Sequence, residues 1–217
     1  MSYVISFLSG KGGVTKSTQA RATAVKFRKD DWEVGVLDID LAQATFRKWN
    51  NRRQGHGFEP SMPVTAGTLR DLEGMKESGQ FHLIIVDGAA YGSLDAVLAA
   101  EKSDLVVVGT RFSLDDMDSA VETINSLVLK GIPKERFCLV FSGVPEQRND
   151  RNYEQAYEYL SQTGYHIVPG YIEMKNSITY AQNVGQAMNE VQSPSLRAKI
   201  DAVLDGIVAH LEKVTSK

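Results

Sequence analysis

The stretch Ser9-Gly10-Lys11-Gly12-Gly13-Val14-Thr15-Lys16-Ser17-Thr18 decides how this chain is read. Before it, the β-branched and aromatic run Tyr3 to Leu8 predicts a buried strand, and after it Gln19 to Lys29 predicts a helix. A glycine-rich loop in that position turns its backbone N–H groups and the positive end of the next helix toward one point. An anionic phosphate chain is stabilised there. Glycines let the backbone come close, Lys16 has the reach for the outer phosphates, and the Ser17 hydroxyl suits a magnesium shell. The residues therefore predict a nucleoside triphosphate site spanning Gly10, Lys11, Gly12, Gly13, Val14, Thr15, Lys16, Ser17 and Thr18.

Measured against the general pattern G-x-x-x-x-G-K-[ST], the stretch keeps Gly10, Lys16 and Ser17 but has Thr15 where the last glycine belongs. Two acidic strand ends lie downstream. Val34 to Leu37 predicts a short strand that runs into Asp38-Ile39-Asp40, and carboxylates at a strand's C-terminal end border the crevice where doubly wound sheets bind ligands. Phe81 to Gly88 predicts a continuous apolar strand, as expected when both sheet faces are covered, ending in Asp87. Paired with a phosphate loop, that acid is placed to hold magnesium through water.

The remaining chain alternates the same two elements. Helices are predicted over Ala44 to Gln54, Thr68 to Glu77, Leu94 to Glu101, Leu114 to Lys130 and Tyr153 to Gln162. Strands are predicted over Met62 to Ala66, Asp104 to Gly109, Phe137 to Phe141 and Tyr165 to Tyr171, with Pro169 marking an edge. Ser193-Pro194 supplies a cap and a first-turn proline for a closing helix with an apolar stripe from Leu196 to Leu211. Arg47, Lys48, Arg52 and Arg53 give the helix after Asp40 a basic face, most simply a solvated one.

Composition narrows the class. The 217 residues fit a single α/β domain, 1–217. A formal net charge of −3 excludes a uniformly basic nucleic-acid binder, so any DNA contact must be a local patch. One cysteine, Cys138, in an apolar run argues against a disulfide scaffold and fits a reducing compartment. No apolar run approaches the ~20 residues of a membrane-spanning helix, and the expectation is a soluble cytoplasmic protein. The histidines at 56, 82, 166 and 210 have no metal-binding spacing.

With Lys11 directly after Gly10, the run K-G-G-x-x-K-[ST] resembles the deviant Walker A box of the ParA/MinD ATPases, and the resemblance extends to Asp38-Ile39-Asp40 and to Asp87-Gly88-Ala89-Ala90. It implies an α/β P-loop NTPase fold, a mostly parallel twisted sheet with helices on both faces, that binds ATP and Mg2+. It implies that Lys11, Lys16 and Asp40 are catalytic, with Lys11 reaching the partner's phosphates in an ATP-bridged homodimer and Asp40 orienting the attacking water. It also implies magnesium support from Ser17, Asp38 and Asp87, and adenine contacts near Ser142-Gly143 and Glu173-Met174. The family usually follows its D-x-D with Pro-Gln, whereas Leu41-Ala42 precede Gln43 here. The chain looks most like the small plasmid-partition members. That implies a nucleoid-associated ATP state, non-specific DNA binding, and a ParB-like or cargo-adaptor protein that stimulates hydrolysis, with no membrane contact. Two alternatives stay open: a MinD-like membrane switch using the closing helix, and a nucleotide-gated interaction protein whose hydrolysis Thr15 impairs.

Overall fold

The computed structural model describes residues 2–88, 94–146 and 150–216. Ala89 and Ala90, singled out above, lie outside the described residues. Among the described residues the strands are β1 (Tyr3–Leu8), β2 (Val34–Asp38), β3 (Val64–Ala66), β4 (Leu83–Asp87), β5 (Leu105–Thr110), β6 (Phe137–Val144) and β7 (His166–Glu173). The α-helices are α1 (Lys16–Lys29), α2 (Thr45–Gly55), α3 (Leu69–Glu77), α4 (Leu94–Lys102), α5 (Leu114–Val128), α6 (Arg151–Ser161), α7 (Asn176–Val184) and α8 (Pro194–Thr215). The strands form one sheet in the order β3-β2-β4-β1-β5-β6-β7, and every pairing is parallel.

Strand alternation shows why both faces are covered. In β1, Ile5 and Phe7 pack with α1 and α8, while Val4 and Leu8 face the side of α3, α4 and α5. In β5, Leu105 and Val107 point one way and Val106 and Val108 the other. A run apolar at every position is what a strand buried on two sides requires. The expected architecture is the one observed.

Capping fixes several helix starts. Ser113 and Ser193 accept hydrogen bonds from the N–H groups of Asp116 and Leu196, and Thr68 with Asp71 forms a reciprocal capping box. The α8 stripe is occupied: Ile200, Val203, Leu204 and Ile207 are buried against the sheet, so it is not free to lie on a bilayer. No described helix is long and apolar enough to cross a membrane. Pro169 falls in β7, an outer strand, where the register against β6 slips.

Two expectations need correcting. Strand β6, predicted to end at Phe141, runs on to Val144 and takes in Ser142 and Gly143; the segment after β7 adds a further helix, α7. Arg53 does not belong to a basic face. It is 0% exposed, pairs with Glu190 at 2.6 Å, and donates to the carbonyls of Glu59, Pro60 and Gly185. The Arg21 and Arg53 guanidinium groups both lie over Trp49, each 5.5 Å from a ring centroid of the indole. A planar five-donor group surrounded by carbonyls and one carboxylate holds α2, α7 and the Met188–Glu190 turn together.

Removing one member of a buried ion pair strands the other, so Arg53→Ala should cost about 3–5 kcal/mol in urea unfolding. Desolvation pushes the Glu190 carboxyl up, but Arg53, the Ala187 N–H and Lys29 outweigh it and hold the group below its ordinary 4.5. A depressed acid contributes its full stability above its ordinary value and loses it as pH falls through the folded value. The gap between wild type and Arg53→Ala should therefore narrow in unfolding curves taken below about pH 4.5.

Candidate nucleotide site

The loop between β1 and α1 opens at the C-terminal end of a central strand, beside the ends of β2, β4 and β5. Gly10 is needed there for close approach: a Cβ at that position would lie 2.5 Å from Ser119 Oγ and 2.7 Å from Thr123 Oγ1 of α5. Helix α1 begins at Lys16, so Ser17 stands in its first turn with its N-terminus facing the crevice.

Around Asp87 the predicted residues converge. Ser17 Oγ donates to Asp87 Oδ1 at 3.0 Å, and Lys16 Nζ lies 3.8 Å from the same oxygen. Thr45 Oγ1 donates to Asp87 Oδ2 at 3.4 Å and is 3.1 Å from Ser17 Oγ. Asp87 is fully buried, and desolvation pushes its carboxyl up in spite of Lys16, Ser17 and Arg21. Arg21 itself, on α1, is pushed down to about 10 by burial and donates to the Thr45 carbonyl and to Gln182 Oε1.

Asp38 faces Asp87 across the β2–β4 register. Its Oδ2 accepts from the N–H groups of Phe46 and Arg47 at 3.1 and 3.2 Å, capping α2, whose own N-cap Ala44 has no side chain to do so. Its Oδ1 is buried with no hydrogen-bond partner. Two hydroxyls, a buried carboxylate pushed toward neutrality and an orphaned carboxylate oxygen form an all-oxygen donor set that suits a hard divalent cation. The residues present fit magnesium, which Ser17, Thr45 and Asp87 would hold, with Asp38 behind them.

Two predicted catalytic residues stand apart from that cluster. Lys11 Nζ is 3.4 Å from Asp116 Oδ1 at the start of α5 in the same chain. Desolvation pushes the Asp116 carboxyl up, yet bonds from Ser113, Arg111 and Lys11 hold it below its ordinary value. The Asp40 carboxylate accepts from the Gln43 N–H at 3.2 Å, and the Asp40 carbonyl accepts from Ala44 at 2.6 Å. The turn that replaces the family's Pro-Gln is thus tied to Asp40 and leaves Ala44 at φ 45°. Thr45 is the residue sequence reasoning missed; a hydroxyl at the first position of the helix after D-x-D was its signal. Beside the loop, Thr15, Thr18, Arg21, Gly143, Glu173 and Met174 line part of a cavity of about 220 Å³.

A parallel sheet with a glycine loop on a central strand, a lysine and serine opening the next helix and a buried acid at the neighbouring strand end define a P-loop NTPase fold. Residues 1–71 match the ParA family model, described as a NUBPL iron-transfer P-loop NTPase. Over 38 residues the chain is 55% identical to the cytosolic Fe-S cluster assembly factor Nubp2 homolog of Drosophila melanogaster, and equally to that of Drosophila simulans. That match spans 18% of this chain and 15% of the relative's length. The MinD cell division protein of Aquifex aeolicus superposes with a TM-score of 0.73 at 17% identity, covering 96% of this chain and 98% of its own. A putative plasmid partition protein from Borrelia burgdorferi, bound to AMPPNP, gives 0.70 at 16% identity, covering 96% and 99%. In its overall fold, and in the sequence of its first third, the chain is similar to ParA/MinD-type P-loop ATPases.

Because burial disfavours the Asp87 charge, Asp87→Asn should raise the Tm of the nucleotide-free chain while lowering magnesium-dependent ATP affinity at least ~10-fold. Differential scanning fluorimetry and a titration with a fluorescent ATP analogue, with and without Mg2+, check both halves.

Proposed function

We propose that this chain is an ATP-dependent molecular switch of the ParA/MinD type that binds and hydrolyses ATP with magnesium. The observation that carries the reading is the convergence of Lys16, Ser17 and Thr45 on buried Asp87 at the mouth of a phosphate loop. Magnesium, when bound, neutralises charge on the phosphates. Lys16 and the loop N–H groups bind and orient the phosphate chain, and the cavity beside Thr15 and Gly143 takes the base. Asp40, half-buried at the end of the β2 turn, orients the attacking water.

Dimerisation on ATP is part of the same reading. Lys11 leaves Asp116, which keeps Arg111 and Ser113 as partners, and reaches the nucleotide of the second subunit. The dimer binds DNA without sequence preference, positions a cargo, and is reset by a partner that stimulates hydrolysis. With Arg53 withdrawn into the interior, Arg47, Lys48 and Arg52 are the exposed cations that α2 offers to phosphates. The iron–sulfur function in the names of the curated relatives is not carried over. Cluster ligation uses thiolates, and the single cysteine, Cys138, is buried in β6 with its thiol pushed up by desolvation.

Binding to random-sequence duplex DNA, measured with ATP, with ADP and without nucleotide across a salt series, tests this function. ATP-only binding that weakens steeply with salt and is lost in Lys11→Ala is the expected result. Indifference to DNA in every nucleotide state sinks the positioning function, whereas failure to bind ATP at all sinks the switch.

A further inference from the structure

Thr15 occupies the left-handed region, with φ 57° and ψ 25°. A β-branched residue enters that region only where its surroundings force it, because Cβ crowds the backbone there. Glycine is the usual occupant at this position of the loop. What holds threonine in its place comes from β6. The hydroxyls of Thr15 and Ser142 are hydrogen-bonded to one another, and Ser142 is fully buried.

The neighbouring atoms are arranged for the same side chain. Gly143, itself at φ 68°, leaves bare backbone against the threonine: a Cβ built there would lie 2.9 Å from Thr15 Cγ2. From the other side, Gln19 of α1 donates its side-chain N–H to the Val14 carbonyl at 3.2 Å and to Thr15 Oγ1 at 3.5 Å. Its backbone N–H bonds the Thr15 carbonyl at 2.9 Å. Thr15 is therefore fixed at its hydroxyl and carbonyl, with room left for its methyl. Strained residues persist where their surroundings over-determine them in this way.

We infer that Ser142 is a positioning residue that, through its bond to Thr15, latches the phosphate loop to the wall of the base cavity and does the work glycine does elsewhere. The inference rests on the nucleotide reading above, since Thr15 and Gly143 line the same cavity. The latch joins the two halves of the nucleotide site, the cradle on β1–α1 and the end of β6, before any ligand arrives. Preorganisation of that kind lowers the ordering cost of binding.

A double-mutant cycle tests it. Thr15→Val keeps the branched shape and loses the hydroxyl, and Ser142→Ala removes the other partner. Each should weaken ATP affinity about tenfold, the size of one lost hydrogen bond, and lower Tm by roughly 2–4 °C. The pair together should be no worse than either alone. Thr15→Ser, which retains the hydroxyl, should recover the affinity. Additive losses overturn the latch, and so does a fall in Tm with affinity unmoved, which marks a merely structural contact. Failure of the nucleotide reading shows separately, as absence of ATP binding by the unmodified chain. The Tm cycle then judges the contact by itself, and additive losses there reject it.

Discussion

Two carboxylates, Asp38 and Asp87, stand side by side at the ends of β2 and β4, both fully buried, and much of the site is arranged around them. A buried charge is costly unless it is paired and hydrogen-bonded. Asp87 recruits Lys16 and Ser17 from the first turn of α1 and Thr45 from the first turn of α2. Asp38 takes the free N–H groups at the start of α2. The phosphate loop, two strand ends and the second helix are thereby bound to one electrostatic problem. The part left unsolved, an orphaned oxygen and a carboxyl pushed up by burial, is the part a divalent cation would settle.

Much of this was legible in the sequence for reasons that are local. A strand covered on both faces is apolar at nearly every position, so β1, β4 and β5 announce themselves. The loop chemistry is equally local, because backbone N–H groups, Lys16 and Ser17 act within one turn of each other. Asp87 was readable only because the buried strand it ends is paired with a phosphate loop. What could not be read depends on distant partners. Helix α7 is polar and weakly helical by propensity, and it forms because Ile178, Ala181 and Gln182 dock onto α1 and α2. Arg53 looks like its exposed neighbours Arg52 and Gln54 until the Glu190 carboxylate, 137 residues away, is brought to it.

The contrast between sequence and structural similarity follows the same division. The ParA family model matches residues 1–71, while the likeness of fold extends over 96% of the chain. The first third holds β1, the glycine loop, α1 and β2, where a phosphate site would restrict residue choice. The later strands need only be apolar and correctly spaced, a requirement many sequences meet. Thr15 is the exception inside the restricted third, and its hydroxyl bond to Ser142 shows that the substitution is matched by a residue far along the chain.

Cys138, near the start of β6, has a consequence of a different kind. Thiol reagents attack the thiolate of an accessible cysteine. This one is 0% exposed, with desolvation opposing its ionisation. The folded protein is therefore chemically silent toward maleimides without any cysteine having to be removed. A single cysteine placed on an exposed helix position, such as Ser195 at the start of α8, becomes the only site for a fluorophore. Labelled chains would then report any approach to one another by energy transfer, in an otherwise native background.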